Sequence, residues 1–367
     1  MRVALIVPGG VDRSGTHRVI PVLLALGERL AAAADVQVVA LHQEDRPSRY
    51  TVRGFPVTNV GLPRTRLRAL LAVLREHRRR RFDVVHAFWA GAAAQVAVAA
   101  GALLRRPVLV HVAGGELARI PEIGYGPRTL RSRAAVRAVL RRADLVTAAS
   151  TPIRNQVGRV GVRAEPLVLG VDLRAWPPVP PRPRAPGRPA RLVHVGSLNP
   201  VKDQATLLAA IARLSQDGVD VRLDVVGEDT LNGTVQRRAA ELGVSARVRF
   251  HGFLAQEALR DMMVGADLLV MSSRHEAGPV VLLEAATAGV PTVGTAVGMI
   301  ADWAPDAALS VPVAHPAALA AGIRQLLSDD GRRLGVAAEA QRRAVAADAD
   351  ATAAQVLAFY RRLTTGW

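Results

Sequence analysis

Two glutamates, Glu276 and Glu284, lie eight positions apart in SSRHEAGPVVLLEAATAGVP, residues 272–291, directly after an apolar segment. On one straight helix that spacing would set them about 80° apart, an awkward geometry for a shared ligand. Ala277-Gly278-Pro279 suggests a loop instead, with a helix starting near Val280 and its unpaired N–H groups facing a cleft. A helix N-terminus after a small-residue loop is a natural diphosphate site. Glu276 would then sit beside that site, and Glu284 about a turn deeper, where a carboxylate suits paired hydroxyls. Taken alone, the stretch also fits two ordinary glutamates on a surface helix.

A second stretch points the same way. VHVGSLNPVKD, residues 193–203, reads as a strand, a glycine turn and then Lys202 ahead of a helix. Lys202 is the only lysine in a chain whose Lys and Arg total 48. A composition that so favours arginine keeps lysine where a compact ammonium is wanted, as on a phosphate; the alternative is survival by chance. Gly227 ends the segment VVG, where a glycine permits close approach of a ligand to the backbone. An ordinary strand-end turn explains it as well.

Such groups need elements to hold them. Short apolar strands alternate with amphipathic helices. In the first half the strands are expected at Val3–Val7, Val36–Leu41, Val84–Ala87, Val108–Val112, Leu145–Ala148 and Pro166–Leu169, with helices such as Thr16–Ala33 between most of them. Half of the fourteen residues in WPPVPPRPRAPGRP, 176–189, are proline, a density no helix or central strand survives, so this is read as a linker. The alternation then restarts with strands Leu192–Val195, Arg222–Val226, Val248–His251, Leu268–Met271 and Thr292–Gly294. Helices are expected at Gln204–Gln216, near Val235–Leu242 and at Val280–Ala288. The pattern implies two Rossmann-like, doubly wound α/β domains facing a cleft. Their bounds are 1–174 for the first, 175–190 for the linker and 191–350 for the second. A terminal helix follows in 351–367, its Phe359 and Tyr360 packing as a brace on the first domain.

Composition excludes several chemistries. The 367 residues contain no cysteine, so disulfides, thiolate metal sites and a cysteine nucleophile are ruled out. The start, MRVALIVPGG, has an apolar core too short for a signal peptide and reads as a first strand, so a cytoplasmic protein is expected. Residues 1–175 carry 28 Arg against 12 Asp and Glu, whereas the remainder is nearly balanced. The excess lies in Arg64–Arg81 and Arg128–Arg142, both with apolar residues at helical spacing. These segments are either Arg-rich solvated faces or peripheral docking surfaces for an anionic membrane. Nucleic acid is not expected, since no aromatic platform accompanies the arginines.

The order VGSLNPVKD, VVGE, RVRFHGFL and HEAGPVVLLEAATAGVPTVGTAVG resembles the C-terminal half of retaining glycosyltransferases of family 4, which have the GT-B architecture. In the first half SGTHRVIPVLLALGERL, DVVHAFW, HVAGGEL, ADLVTAAS and VLGVDLRAWPP fall in the same family order. The resemblance implies a nucleotide-diphosphate sugar as donor, with Glu284 accepting hydrogen bonds from its ribose. Glu276 would lie near the donor sugar and steady it in the transition state. The amides of Gly278, Pro279 and Val280 and their neighbours would hold sugar and diphosphate, Pro279 itself lacking an N–H. Lys202 would neutralise the leaving diphosphate, and Gly196, with Ser197 and Gly227, would let the backbone approach it. His111 would touch the donor sugar from the first domain, while Gly15 and Glu116 would serve the acceptor side. His86 would be structural or part of an acceptor wall.

Three departures from the family pattern stand out. Ser197 replaces a common arginine, leaving Arg274 or a first-domain arginine to supply the charge. Ala-Gly-Pro at 277–279 replaces Gly-Phe-Gly, and Leu169-Gly170-Val171-Asp172 replaces Pro-Asn-Gly-Val-Asp. The implied chemistry is transfer with retention, the diphosphate leaving from the face the acceptor enters, with neither metal nor cofactor. The sequence Asp348-Ala-Asp350 is read as a helix start rather than a metal site. Acceptor identity stays open among lipid, glycan and small molecule. An epimerase of the same fold and a non-catalytic nucleotide-sugar binding protein are the alternatives.

Overall fold

The computed structural model describes residues 1–366. The chain forms two compact units: Met1–Gly170 together with a returning C-terminal segment, and Val171–Asp348.

The first unit runs β1 (Arg2–Val7), α1 (Pro21–Ala33), β2 (Asp35–Ala40), β3 (Ser48–Val52), β4 (Phe55–Asn59), α2 (Thr65–Arg79), β5 (Val84–Phe88), α3 (Ala92–Leu104), β6 (Val108–Val112), α4 (Leu130–Arg142), β7 (Leu145–Ala148), α5 (Thr151–Gly158) and β8 (Ala164–Pro166). Its sheet has the order β3-β4-β2-β1-β5-β6-β7-β8 and is parallel except for the β3–β4 pair. Every residue of β1 and β5 is buried, Arg2 and His86 included, as strands are in a parallel sheet covered on both faces.

Helix α1 begins five residues later than the sequence suggests. Pro21 takes its first helical position, where the missing N–H costs nothing. Residues 10–20 instead form a loop pinned by the Val11–Val19 bridge and by the Ile20 N–H on the Gly10 carbonyl, 2.9 Å. The β3–β4 hairpin is absent from the sequence reading. It turns on Arg53-Gly54, both at positive φ (44° and 86°), as a two-residue hairpin turn requires. The strand expected at Pro166–Leu169 is instead Ala164–Pro166, with one further bond from the Leu167 N–H to the Ala148 carbonyl at 3.0 Å.

The second unit contains β9 (Ala190–Val195), α6 (Gln204–Gln216), β10 (Val221–Val226), α7 (Thr234–Glu241), β11 (Val248–Gly252), α8 (Gln256–Val264), β12 (Leu268–Met271), α9 (Val280–Thr287), β13 (Thr292–Thr295), α10 (Gly298–Trp303), β14 (Leu309–Val311), α11 (Pro316–Ser328) and α12 (Asp330–Ala346). The strand order β11-β10-β9-β12-β13-β14, with every pair parallel, is the doubly wound Rossmann order. The order reverses between β9 and β12, paired at Leu192–Leu268 and Val193–Leu269. Ligands of such sheets bind beyond the carboxyl ends of the strands at that point.

The proline-rich segment is not a free linker. Trp176 is 1% exposed. The Val179 N–H donates to the Thr287 carbonyl at 2.8 Å, and Gln341 Nε2 donates to the Val179 carbonyl at 2.7 Å. Gly289 admits this close passage, since a Cβ there would lie 2.4 Å from the Val179 oxygen. After α12 the chain returns as α13 (Ala349–Thr365) and places Val356, Phe359 and Tyr360 in the apolar core of the first unit. Thr352 Oγ1 fixes the return, donating to the Val168 carbonyl and accepting from the Gly170 N–H, each at 2.9 Å.

Candidate functional site

The loops after β9 and β12 meet at the reversal point of the second unit. After β9 the backbone turns at Gly196 (φ +157°), whose N–H donates to the Val226 carbonyl at 2.8 Å. The next residues run beside the end of β10, the Leu198 N–H bonding to the Glu228 carbonyl at 2.8 Å. Gly227 is what this passage requires, because a Cβ there would stand 2.2 Å from the Gly196 oxygen. Its structural contribution is thus to shape the Gly196 loop. Asn199 then closes a turn, its Oδ1 accepting the N–H groups of Val201 and Lys202 at 3.1 Å each.

Lys202 reaches back over Gly196, its Cε 3.1 Å from where a Cβ on that glycine would lie. Its Nζ donates to Glu276 Oε1 at 2.5 Å, and Ser273 Oγ donates to the same oxygen at 2.7 Å. The two charged side chains are 22% and 11% exposed, so the ion pair is largely sheltered yet open to a ligand. Glu276 engages one of three ammonium protons, leaving two for an incoming anion.

The loop after β12 is held from several sides. Ser272 Oγ donates to the Lys202 carbonyl at 2.7 Å, the Arg274 N–H to the Val201 carbonyl at 2.7 Å, and Thr295 Oγ1 to the Ser273 carbonyl at 2.5 Å. Asp203 caps α6 from a left-handed conformation (φ +49°), accepting from the Thr206 N–H at 3.3 Å and hydroxyl at 2.9 Å. It also accepts from Arg274 Nε at 2.9 Å. That bond uses Nε alone and orients the Arg274 guanidinium, whose two terminal nitrogens have no hydrogen-bond partner among the described residues. The Ser197 carbonyl accepts from Gln204 Nε2 at 3.2 Å. His194, buried on β9, donates from Nδ1 to the Val270 carbonyl at 2.9 Å, and burial holds it neutral with a pKa down at about 4.

Beyond Glu276 the chain passes Gly278 and enters α9. Pro279 is the N-cap rather than a first-turn residue, and no side chain caps the helix, so its leading amides stay open to an anion. Glu284 is the fifth residue of α9, about 6 Å along the axis from Val280. It is 7% exposed, and no hydrogen bond or ion pair reaches its carboxylate among the described residues. Loss of hydration pushes its pKa up to about 7.

In the first unit, His111 sits on β6, 1% exposed, with Nδ1 3.0 Å from Thr147 Oγ1. Burial drives its pKa down to about 3, so it is a neutral hydrogen-bonding group. His86 belongs to the core, not to an acceptor wall: its Nδ1 lies 2.7 Å from the Tyr360 hydroxyl and its ring stands 4.5 Å from that of Phe88. Gly15 (φ +67°) lies in the turn before α1, its N–H on the Asp12 carbonyl at 3.0 Å. Glu116 accepts the N–H groups of Ala90 at 3.0 Å, Ala113 at 3.2 Å and Gly114 at 2.7 Å. It thereby ties together the loops after β5 and β6, and burial raises its pKa. A cavity of about 680 Å³ opens beside it, lined by Arg66, Gln95, Tyr125, Arg131 and Ser132 among others.

The second unit therefore brings Gly196, Ser197, Lys202, Glu276, Gly278, Pro279, Val280 and Glu284 onto two loops and one helix at a single point of the sheet. Asn199, Asp203, Ser273, Thr295 and Gly298 were missed by the sequence reading. Only Asp203, three residues before Thr206, carries a local capping signal. Gly298 (φ +52°) leaves no room for a side chain, since a Cβ would lie 2.6 Å from the Glu276 oxygen.

Residues 179–343 match the family model described as glycosyl transferases group 1, and residues 19–171 match that of the glycosyl transferase 4-like domain. Glycogen synthase of Mycobacterium tuberculosis is 30% identical over 273 residues, 72% of this chain and 63% of the synthase. The chain thus matches somewhat less than two thirds of that relative's length. Among solved structures, sucrose-phosphate synthase of Thermosynechococcus elongatus superposes with a TM-score of 0.82 at 20% identity, covering all of both chains. Anabaena HepE, solved in complex with UDP, gives 0.77 at 18% identity over 99% of this chain and 100% of its own.

Proposed function

The chain belongs to the group 1 glycosyl transferases, and we propose that it moves a sugar from a nucleotide-diphosphate donor to an acceptor hydroxyl with retention of anomeric configuration. The observation that carries this reading is Glu284, a buried carboxylate with no protein partner, one turn below an uncapped helix N-terminus. A ribose with two adjacent hydroxyls gives that carboxylate the donors it lacks. The diphosphate then falls between the leading amides of α9 and the free protons of Lys202. Glu276, fixed by Lys202 and Ser273, faces the donor sugar. In the reaction the anomeric C–O bond to the diphosphate breaks and the acceptor oxygen bonds to the same face. The acceptor proton passes to the departing phosphate. Lys202 and the helix amides stabilise the charge that develops on the leaving group, so the chemistry rests on positioning and preorganised electrostatics. No metal is required in this scheme.

The 680 Å³ cavity of the first unit, with Glu116 in its wall, is the place for the acceptor. Helix α2 exposes Leu67 and Leu71 (52% and 40%) among arginines, which supports peripheral docking on an anionic membrane. No helix among the described residues is long and apolar enough to cross one.

The test is a metal-free panel of UDP-, GDP- and ADP-sugars, UDP first because the Anabaena neighbour was solved with it. Release of nucleoside diphosphate is followed with and without candidate acceptors, with vesicles containing phosphatidylglycerol as one arm. Acceptor-dependent release with one nucleotide family is expected, and chelator leaves it unchanged. Isomerised donor without an acceptor would indicate an epimerase. Binding without release under any condition would indicate a nucleotide-sugar carrier.

A further inference from the structure

The arginines of α4 do not share one face. Arg131 lines the larger cavity, whereas Arg133 and Arg137, one helical turn apart, line a second cavity of about 230 Å³ with Arg119, Arg159 and Gln156. Glu116 and Pro127 belong to the walls of both. Carboxylates are scarce in this unit and pair with a minority of its arginines, as Asp35 does with Arg2, Asp350 with Arg29 and Glu76 with Arg49. Arg119, Arg133, Arg137 and Arg159 form no ion pair among the described residues. The one carboxylate in their cavity, Glu116, is taken up by the three backbone N–H groups of Ala90, Ala113 and Gly114. Arg133 is held in place by carbonyl oxygens, its Nε donating to Pro127 at 3.1 Å and its Nη2 to Arg128 at 3.5 Å. Gln156 contributes a buried Oε1 with no hydrogen-bond partner.

Four permanent positive charges, three of them on exposed side chains, border one small cavity and repel one another at every accessible pH, because guanidinium does not deprotonate. An anion relieves that repulsion. Phosphate suits the lining: its oxygens accept fork-shaped N–H pairs, and a monoprotonated phosphate has the one donor that Gln156 Oε1 lacks. We propose that this cavity is a binding site for a phosphate group, separate from the nucleotide diphosphate site of the second unit. The group comes either from a soluble phosphorylated molecule or from the headgroup of an anionic lipid. The site does not depend on sugar transfer by the same chain.

The full chain carrying Lys202→Ala, which weakens anion binding in the second unit, is titrated with inorganic phosphate at constant ionic strength. A single site is expected. Adding Arg133→Gln with Arg137→Gln should weaken it about tenfold or more, since two charged hydrogen-bonding groups are lost. Arg75→Gln with Arg78→Gln, an equal loss of charge on α2, should leave it unchanged. Arg159→Gln alone is the milder variant, should the double change disturb folding. In parallel, sedimentation with phosphatidylcholine vesicles, with and without phosphatidic acid, identifies the lipid source if binding falls with the Arg133/Arg137 pair. Loss in either arm sustains the site and names the source of its phosphate. Phosphate and vesicle binding both indifferent to Arg133, Arg137 and Arg159 would overturn it.

Discussion

Glu284 holds a proton more tightly than a carboxylate in water because its burial is offset by no partner. That has a cost in stability with a definite sign. Below the ordinary glutamate pKa of 4.5 the side chain is protonated folded or unfolded and contributes nothing. As pH rises towards about 7 the unfolded chain ionises first, and the folded state loses about 3 kcal/mol before its own carboxyl ionises. Thermal unfolding of wild type and Glu284→Gln between pH 5 and 8, without ligand, reads this directly. The variant's advantage should widen with pH and level off above 7, and parallel curves would show that the carboxylate has a partner. Glu276, Glu284 and Lys202 were legible in the sequence because each is an unusual residue in its setting. Ser273 and Thr295 were not, because their contribution is a hydroxyl bond to a group distant in sequence, which leaves no spacing to read.

The elements that carry these residues were largely legible where apolar runs were long. Strands β1, β9, β10 and β12 all stood out, and with them the reversal point that locates the site. Hairpin β3–β4 was hidden by the polar, half-exposed residues of β3 and by a turn of Arg53-Gly54 rather than Asn-Gly. Glycines of the site loops were visible only as residue types, and their reasons are three-dimensional. Gly298 and Gly218 both have positive φ, 52° and 73°. A Cβ on Gly298 would strike the Glu276 and Ala277 oxygens at 2.6 and 2.8 Å, while one on Gly218 meets nothing within 4 Å. Gly218→Ala should therefore cost only the left-handed strain, about 1–2 kcal/mol in denaturant unfolding. Gly298→Ala should cost clearly more and also weaken donor binding, since the Glu276 loop must move. Equal effects of the two changes would mean that the loop is soft enough to yield.

At the scale of the whole molecule, two units with separate apolar cores divide the chain, and two connections blur the division drawn from sequence. The proline-rich segment, read as a spacer from its composition, is held to the second unit by the hydrogen bonds of Val179 with Thr287 and Gln341, which composition does not encode. Helix α13 was readable as a brace because Phe359 and Tyr360 are among few aromatics in the chain. The basic excess of the first half resolves into different surfaces once α4 is seen to feed two cavities. The proposed donor site of the second unit rests on Glu284 and Lys202. Calorimetric titration of the full chain at pH 8 with the donor that supports turnover, for wild type and Glu284→Gln, tests it most directly. Saturable one-to-one binding is expected, weakened roughly 10–150-fold by the substitution, the equivalent of charged hydrogen bonds worth about 1.5–3 kcal/mol. Undiminished affinity in Glu284→Gln would remove this carboxylate from the donor site.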